Sequence, residues 1–153
     1  EVFAVNALSL FNISKWLYPR FKSEGRGRLV HIGSNAAVQG FSGMIAYCAS
    51  KFATRGMIQV IAKEYAKIGA VANQVNPGPF EPFSSDMSNK QIEDFMVIQK
   101  VSSSEIINSM VSRIPQRRLA TIEDLYKTLN FLLFDAPDYI TGQSINLSGG
   151  MVM

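Results

Sequence analysis

The chain has 153 residues, of which 47% are hydrophobic and 18% are charged, so it is long enough to bury the core of one domain. Its net charge is +3, but the basic residues are scattered, which argues against nucleic-acid binding. A single cysteine excludes an internal disulfide and a cysteine-based metal site, and no apolar run approaches the roughly 18 residues that span a membrane. These bounds predict a cytoplasmic protein with no metal, no nucleic-acid partner and no membrane partner.

The first half of the chain alternates between helical and strand patterns. Apolar residues recur at helical spacing over residues 2–23, which predicts a largely buried helix. The short apolar run at 28–34 predicts a strand that ends in small polar residues. A second helical pattern covers about 46–68, with Gly69 as its predicted C-cap, and residues 70–75 predict a second strand.

The second half begins with a more polar stretch, in which we expect helices at about 89–100 and 103–113. Thr121 followed by two acidic residues predicts the start of a helix that runs to about residue 134. A final strand is predicted at Ser144–Leu147. Strands that alternate with helices predict an α/β fold with a parallel sheet, in which ligands bind at the C-terminal ends of the strands.

The residues with the clearest chemical potential are Tyr47 and Lys51, which lie four apart on the second predicted helix and therefore share one face. An ammonium beside a phenol favours the phenolate, so the pair could transfer a proton near neutral pH. Ser34 ends the preceding strand and could hold a carbonyl or alcohol oxygen beside the tyrosine. The three side chains indicate proton transfer coupled to redox chemistry at a C–O centre.

Six landmarks, in order along the whole chain, resemble the short-chain dehydrogenase/reductase family. They are Asn6 in Val-Asn-Ala-Leu-Ser-Leu-Phe, Ser34 in Val-His-Ile-Gly-Ser, Tyr47-x-x-x-Lys51, Asn76-Pro77-Gly78-Pro79, Tyr139-Ile140-Thr141-Gly142-Gln143 and Gly149-Gly150. The resemblance implies a Rossmann-like, doubly wound parallel sheet, of which residues 1–153 would form one C-terminal domain with about three strands and covering helices. The end of the first strand and the tail at 147–151 are most similar to the 3-oxoacyl-carrier-protein reductases.

The resemblance also implies roles for individual residues. Tyr47 would be the general acid/base, Lys51 would favour its phenolate and hold the nicotinamide ribose, Ser34 would orient the reacting oxygen, and Asn6 would anchor a water of the proton relay. The implied cofactor is NAD or NADP. Its binding residues would be Tyr47 and Lys51 together with Pro77, Gly78 and the backbone of Phe80, which line the nicotinamide.

Two features of the sequence depart from the family pattern. Pro82 stands where the family usually has a threonine, which removes a cofactor contact that Ser84 or Ser85 could replace. The sequence contains no Gly-x-x-x-Gly-x-Gly turn for the cofactor phosphates and no residue that selects the adenosine ribose. We therefore expect the chain to be the C-terminal part of a longer enzyme and to lack activity by itself.

The expected function is an NAD(P)-dependent oxidoreductase that interconverts a secondary alcohol and a ketone, with a 3-oxoacyl thioester as one substrate class. A sugar, polyol or cyclic diol dehydrogenase of the same family remains an alternative, as does a non-catalytic binding or assembly subunit. The segment at about 80–118 falls where the family keeps its substrate lid, which predicts an apolar lid. The expected partners are a small alcohol or ketone and further copies of the chain, as a homodimer or homotetramer formed through the helices at 2–23 and 46–68.

Overall fold

A computed structural model describes residues 1–81 and 103–153 of the protein. The predicted helix at 89–100 lies outside these residues, as do Pro82, Ser84 and Ser85. Within the two described ranges, no helix is both long enough and apolar enough to cross a membrane.

Three parallel strands form the central sheet in the order β1 (Gly27–Ile32), β2 (Ala70–Pro77) and β3 (Ser144–Leu147). The predicted strands are confirmed, with β2 running two residues further than expected and β1 ending at Ile32. The register pairs residue 32 with residue 75, and residue 75 with residue 145, so the C-terminal ends of all three strands lie at one edge. The predicted α/β class with a parallel sheet is confirmed.

Helices α1 (Ser9–Glu24) and α2 (Ile45–Ala66) cover one face of the sheet. Leu10 of α1, Ile58 and Tyr65 of α2 and Ala72 of β2 form a buried cluster at this interface. The Tyr65 hydroxyl donates a 2.7 Å hydrogen bond to the Ser14 carbonyl, which ties the two helices together. The helix α2 connects β1 to β2, which makes the β1–α2–β2 unit the crossover that a parallel pair of strands requires.

The prediction that the first helix is largely buried is wrong. Leu10 and Ser14 are the buried residues of α1, and the π-helical stretch Ala4–Leu8 that precedes α1 has none. Only one stripe of α1 meets α2 and the sheet, so the remaining apolar side chains face outward. Across α1 and the residues just before it, the apolar side chains with large exposed fractions are Phe3 49%, Val5 65%, Leu8 51%, Phe11 51%, Ile13 51% and Trp16 74%.

The predicted C-cap at Gly69 is also wrong, because α2 ends at Ala66 and Lys67 occupies the cap position. Gly69 instead has φ +76 in the turn that leads into β2, and a side chain there would collide with the Gly25 carbonyl. Glycine is therefore required at 69 by the turn and by the close approach of two backbone segments.

The opposite face of the sheet is covered by α4 (Ile122–Asn130) and the π-helical turn Phe131–Asp135 that follows it. Val75, Leu132 and Ala136 form the buried cluster on this side. The predicted helix start is confirmed: the Thr121 hydroxyl accepts from the Asp124 N–H, and the Asp124 carboxylate accepts from the Thr121 N–H. The helix α3 (Ser103–Ser112) confirms the prediction at 103–113.

Candidate active site

The sheet brings the predicted site segments to one edge. The backbone of β1 continues past Ile32, and the Gly33 N–H donates to the Val75 carbonyl at 2.7 Å. On the next strand pair, the Gly78 N–H donates to the Leu147 carbonyl at 2.9 Å. Ser34 and the Pro77–Gly78 turn therefore leave neighbouring strands at the edge where parallel α/β sheets bind ligands.

Tyr47 and Lys51 lie in the first two turns of α2, which starts just after the loop that follows Ser34. The Lys51 ammonium nitrogen is 5.6 Å from the centroid of the Tyr47 ring, within the range of a cation–π contact. Burial lowers the pKa of Lys51 because the charged form is desolvated. The geometry thus places a half-buried cation against the face of the phenol ring, one helical turn away.

Ser34 has an extended backbone and begins the short 3₁₀ turn Asn35–Ala37. Its hydroxyl oxygen accepts a 3.1 Å hydrogen bond from the Ala36 N–H, which fixes the side-chain orientation. The hydroxyl proton is not used in that bond and can be donated to a substrate oxygen. Ser34 is half-buried, while the three residues of the turn are buried beneath it.

Asn6 lies in the π-helical stretch Ala4–Leu8, which the apolar pattern of the sequence did not reveal. Its amide donates a 2.9 Å hydrogen bond to the Ser50 hydroxyl, and that hydroxyl donates to the Tyr47 carbonyl at 2.7 Å. Single π-helical turns widen the helix and are frequent at functional sites. The structure therefore links Asn6 to α2 directly beside Lys51, through a serine that the sequence analysis missed.

The turn predicted to line the nicotinamide is held tightly on both sides. A Cβ atom at Gly78 would lie 3.2 Å from the Asn35 amide nitrogen and 3.2 Å from the Ser148 Cα, so the turn admits only glycine without adjustment. The Asn35 amide nitrogen is also 3.7 Å from the Met151 sulfur. Asn35 thus joins the ends of all three strands, a position that only the tertiary structure reveals.

The backbone of Phe80 forms an isolated parallel bridge with Ala120. The Ala120 N–H donates to the Pro79 carbonyl at 2.9 Å, and the Glu81 N–H donates to the Ala120 carbonyl at 2.8 Å. These two bonds use the groups on either side of Phe80, so its own N–H and C=O point away from Ala120. That orientation suits the predicted backbone contact with a carboxamide.

A polar cavity of about 310 Å³ lies beside the ends of β2 and β3. Arg118 and Asp124 line part of it and form an ion pair of 3.1 Å between Arg118 Nη2 and Asp124 Oδ1. The Arg118 guanidinium and the Thr121 backbone N–H hold the pKa of the Asp124 carboxyl well below its usual range. Ile114, Gln116 and Arg118, which lie in the segment predicted as the lid, also line this cavity.

Among the described residues, no group of three or more His, Cys, Asp or Glu side chains is arranged so that it could hold a metal ion.

Cys48, next to Tyr47 in sequence, is buried, and its sulfur accepts a 3.4 Å hydrogen bond from the Phe41 N–H. This contact ties the loop after Ser34 to the first turn of α2.

Comparison with known proteins identifies the family of the chain. A family model described as enoyl-(acyl carrier protein) reductase matches residues 1–152. The chain belongs to the short-chain dehydrogenase/reductase family. The fold of this short-chain dehydrogenase/reductase chain is accordingly the Rossmann-like, doubly wound type that the sequence predicted.

Relatives within the family carry oxidoreductase names. The chain is 31% identical over 154 residues to the 3-oxoacyl-[acyl-carrier-protein] reductase FabG of Buchnera aphidicola subsp. Baizongia pistaciae, which covers 100% of the chain and 57% of that protein. It superimposes on sorbitol-6-phosphate 2-dehydrogenase SrlD from Erwinia amylovora with a TM-score of 0.90 and 27% identity, covering 99% of the chain and 59% of SrlD. The chain thus spans little more than half of the length of these short-chain dehydrogenase/reductases.

Two similar structures contain a nicotinamide cofactor. ElxO with NADP bound matches with a TM-score of 0.77 and 27% identity, over 95% of this chain and 54% of ElxO. NAD⁺-bound xylitol dehydrogenase matches with a TM-score of 0.85 and 25% identity, over 97% of this chain and 58% of that chain.

Proposed function

We propose that the protein containing this chain is an NAD- or NADP-dependent oxidoreductase that interconverts a secondary alcohol and a ketone. The observation that carries the proposal is the Lys51 ammonium 5.6 Å from the Tyr47 ring, at the strand edge where Ser34 and Gly78 also lie. Family membership and the oxidoreductase names of the relatives support the same reaction. Residues 1–153 would be one domain of this enzyme.

The described residues fit a nicotinamide. Gly78 lies in a cradle that a Cβ atom would fill, and the polar backbone groups of Phe80 point away from their only bridge partner, Ala120, within the described chain. Pro77, Gly78 and Phe80 would therefore hold the ring, and Lys51 would bind the ribose. When bound, the cofactor supplies or accepts the hydride.

The side chains of the protein would orient the substrate and transfer the proton. During reduction, the Ser34 hydroxyl donates a hydrogen bond to the substrate carbonyl oxygen and holds it beside Tyr47. The Tyr47 hydroxyl gives its proton to that oxygen as the alcohol forms, and Lys51 stabilises the phenolate that remains. In the oxidation direction, the same phenolate takes the proton from the alcohol. Asn6, bonded to Ser50 beside Lys51, would anchor a water that returns the proton.

A 3-oxoacyl thioester is the substrate class that we favour, because the family-model description and FabG both refer to carrier-protein reductases. A sugar or polyol remains the second class, since SrlD carries the name of a dehydrogenase of a polyol phosphate, sorbitol 6-phosphate, at similar identity. The segment at about 80–118 would form the substrate lid over the strand edge. Assays with a 3-oxoacyl thioester and a polyol in parallel separate the two classes.

We also infer a homodimer or homotetramer in the cytoplasm. The exposed apolar residues of α1 continue onto α2, where Val60 is 56% exposed, and a groove of about 780 Å³ runs between the two helices. A second copy would cover this surface. Sedimentation of the full-length protein with Phe11→Asp, which changes a residue that lines the groove, should show dissociation, whereas a monomeric wild type would contradict the oligomer.

The decisive test of the reaction is Tyr47→Phe in the full-length protein. We expect kcat to fall by about 10²- to 10⁴-fold, because the proton donor is removed while the ring remains. Tyr126→Phe, at a 60% exposed position of α4, is the matched control and should retain activity. Unchanged oxidation or reduction of the nicotinamide by Tyr47→Phe would refute the tyrosine mechanism.

A further inference from the structure

Two buried polar atoms on the sheet lack a hydrogen-bond partner within the described ranges: His31 Nε2 and Gln74 Oε1. His31 of β1 and Gln74 of β2 are register partners on adjacent parallel strands, so their side chains point to the same face. Leu29 and Ala72, each two residues earlier on its strand, pack in the cluster that contains Ile58 of α2. Both unpaired atoms therefore face α2.

The amide of Gln74 reaches across the sheet toward β1. A Cβ atom at Gly33 would lie 2.5 Å from Gln74 Nε2, which shows that the amide covers Gly33. The amide nitrogen donates a 2.6 Å hydrogen bond to Asn76 Oδ1, and the Asn76 amide donates at 2.7 Å to the Ser144 hydroxyl. This row anchors the donor side of Gln74, while its acceptor oxygen has no partner among the described residues.

His31 is held neutral in this environment. Burial, with the nearby charge of Lys51 as the second cause, lowers the pKa of His31 to about 4. A neutral imidazole has one N–H donor and one acceptor nitrogen, so its buried nitrogen still needs a partner. Buried waters typically bind such otherwise unsatisfied groups, because leaving a polar atom unpaired in the interior is costly.

We propose that His31 and Gln74 together bind one ordered water on the sheet face that α2 covers, and that this makes His31 a positioning residue for the Lys51 ammonium of α2. A neutral imidazole adds no second positive charge near Lys51. The water fixes the imidazole against the sheet. The binding of the water is inferred from the two unpaired atoms. The positioning of Lys51 by His31 rests on the proposed function.

A high-resolution crystal structure of the full-length protein tests the water directly. We expect density for one water within hydrogen-bond distance of His31 Nε2 and Gln74 Oε1, and its loss in Gln74→Met. Long-range ¹H–¹⁵N spectra should show a neutral His31 at pH 6, and His31 is the single histidine of these 153 residues. An empty site, a direct bond between the two side chains, or His31 spectra that do not change in Gln74→Met would overturn the water.

Kinetics test the positioning role. We expect His31→Leu and Gln74→Met each to lower kcat about threefold to tenfold and to raise the cofactor KM, because Lys51 loses its support. His31→Gln, which can still bind the water, should recover most of the loss. Gln143→Met changes an exposed glutamine just before β3 and is the matched control.

The outcomes separate the two proposals. If His31→Gln is as impaired as His31→Leu, or if neither variant alters kcat or the cofactor KM, the positioning role is wrong. Should His31→Leu fail to fold, the kinetics of Gln74→Met still test the positioning role, and the spectra of the wild type still test whether His31 is neutral. If Tyr47→Phe keeps full activity, the proposed function fails, while the water is judged independently by density and by the His31 spectra.

Discussion

The two faces of the sheet differ in what they bury toward the C-terminal ends of the strands. The face toward α4 remains apolar, with Val75 and Leu132 fully buried and Leu147 packed against them. The face toward α2 begins with Ala72 among aliphatic residues and then becomes polar at Gln74 and Asn76, both fully buried. The face toward α4 thus contributes mainly apolar packing, whereas the face toward α2 has buried polar groups in place of apolar ones near the proposed active site.

The comparison also explains why the polar face tolerates this composition. Buried amides are stable only when they are hydrogen-bonded, and the row from Gln74 through Asn76 to Ser144 supplies such partners across two strands. The loss of apolar contact on the α2 side is local, because Ile58 and Tyr65 form an apolar core further along the helix. We therefore expect substitutions on the two faces to separate activity from stability.

The largest expected effect is on the polar face, at Lys51. In the full-length protein, Lys51→Met should reduce kcat/KM by about 10²-fold or more, because it removes the charge that stabilises the phenolate and holds the ribose. The free energy of unfolding should not fall, since burial already disfavours the ammonium and lowers the pKa of Lys51. Steady-state kinetics and urea unfolding measure both quantities.

Lys63→Met, at an exposed position of the same helix, is the control for that substitution. A Lys51→Met variant with normal kcat/KM would show that the face toward α2 is not the one on which activity depends.

The second effect is on the apolar face, at Leu132, which is 0% exposed. Leu132→Ala should lower the free energy of unfolding by about 3 kcal/mol, because it leaves a cavity against Val75. Activity at low temperature should remain near that of the wild type. Ile122→Ala, at a 63% exposed position of α4, should change stability by much less in the same urea titrations.

Strong loss of activity in folded Leu132→Ala protein would show that the two faces are not separable.

A smaller effect is expected at Tyr65, at the apolar end of the α2 face. Tyr65→Phe removes the 2.7 Å hydrogen bond to the Ser14 carbonyl and should cost about 1 kcal/mol at pH 7. Burial, with the Glu64 charge as a second cause, raises the pKa of Tyr65 to about 12. Because the unfolded phenol ionises near pH 10, the wild type loses stability as the pH rises from 10 to 12, and Phe at this position does not.

The stability difference between wild type and Tyr65→Phe should therefore shrink or reverse at pH 11 relative to pH 7. Urea unfolding of both proteins at the two pH values gives this difference. Because the other titrating groups are the same in both proteins, their contributions cancel. A difference that stays constant would mean that Tyr65 is less confined than its 1% exposure indicates.

The smallest effect is expected at the start of α4. Thr121→Ala removes the side chain that caps the Asp124 N–H and should lower stability by about 0.5 kcal/mol. Thr121→Ser keeps the hydroxyl and should restore most of it. Thermal unfolding of the three proteins measures the difference, and equal melting temperatures for Ala and Ser would show that the cap contributes nothing.

Local signals in the sequence predicted much of the fold. The strand at residues 144–147 and the capped start of α4 depend on neighbouring residues alone, since alternation, turn glycines and a capping threonine act within a few positions. The Tyr47–Lys51 pair is similarly local, because two residues four apart in a helix must share a face. The order of landmarks identified the family before any contact was known.

Long-range contacts decided the rest. Helical spacing could not tell that α1 buries only one narrow stripe, because that depends on which surfaces α2 and the sheet present to it. The hydrogen bond from Asn6 to Ser50, the Asn35 amide between three strand ends and the register pair of His31 and Gln74 each join residues far apart in the chain. By itself the sequence determined which chemistry this chain carries. The parallel register and the packing of α2 decided which side chains surround it, because the cost of an unpaired buried group depends on neighbours that only the folded chain supplies.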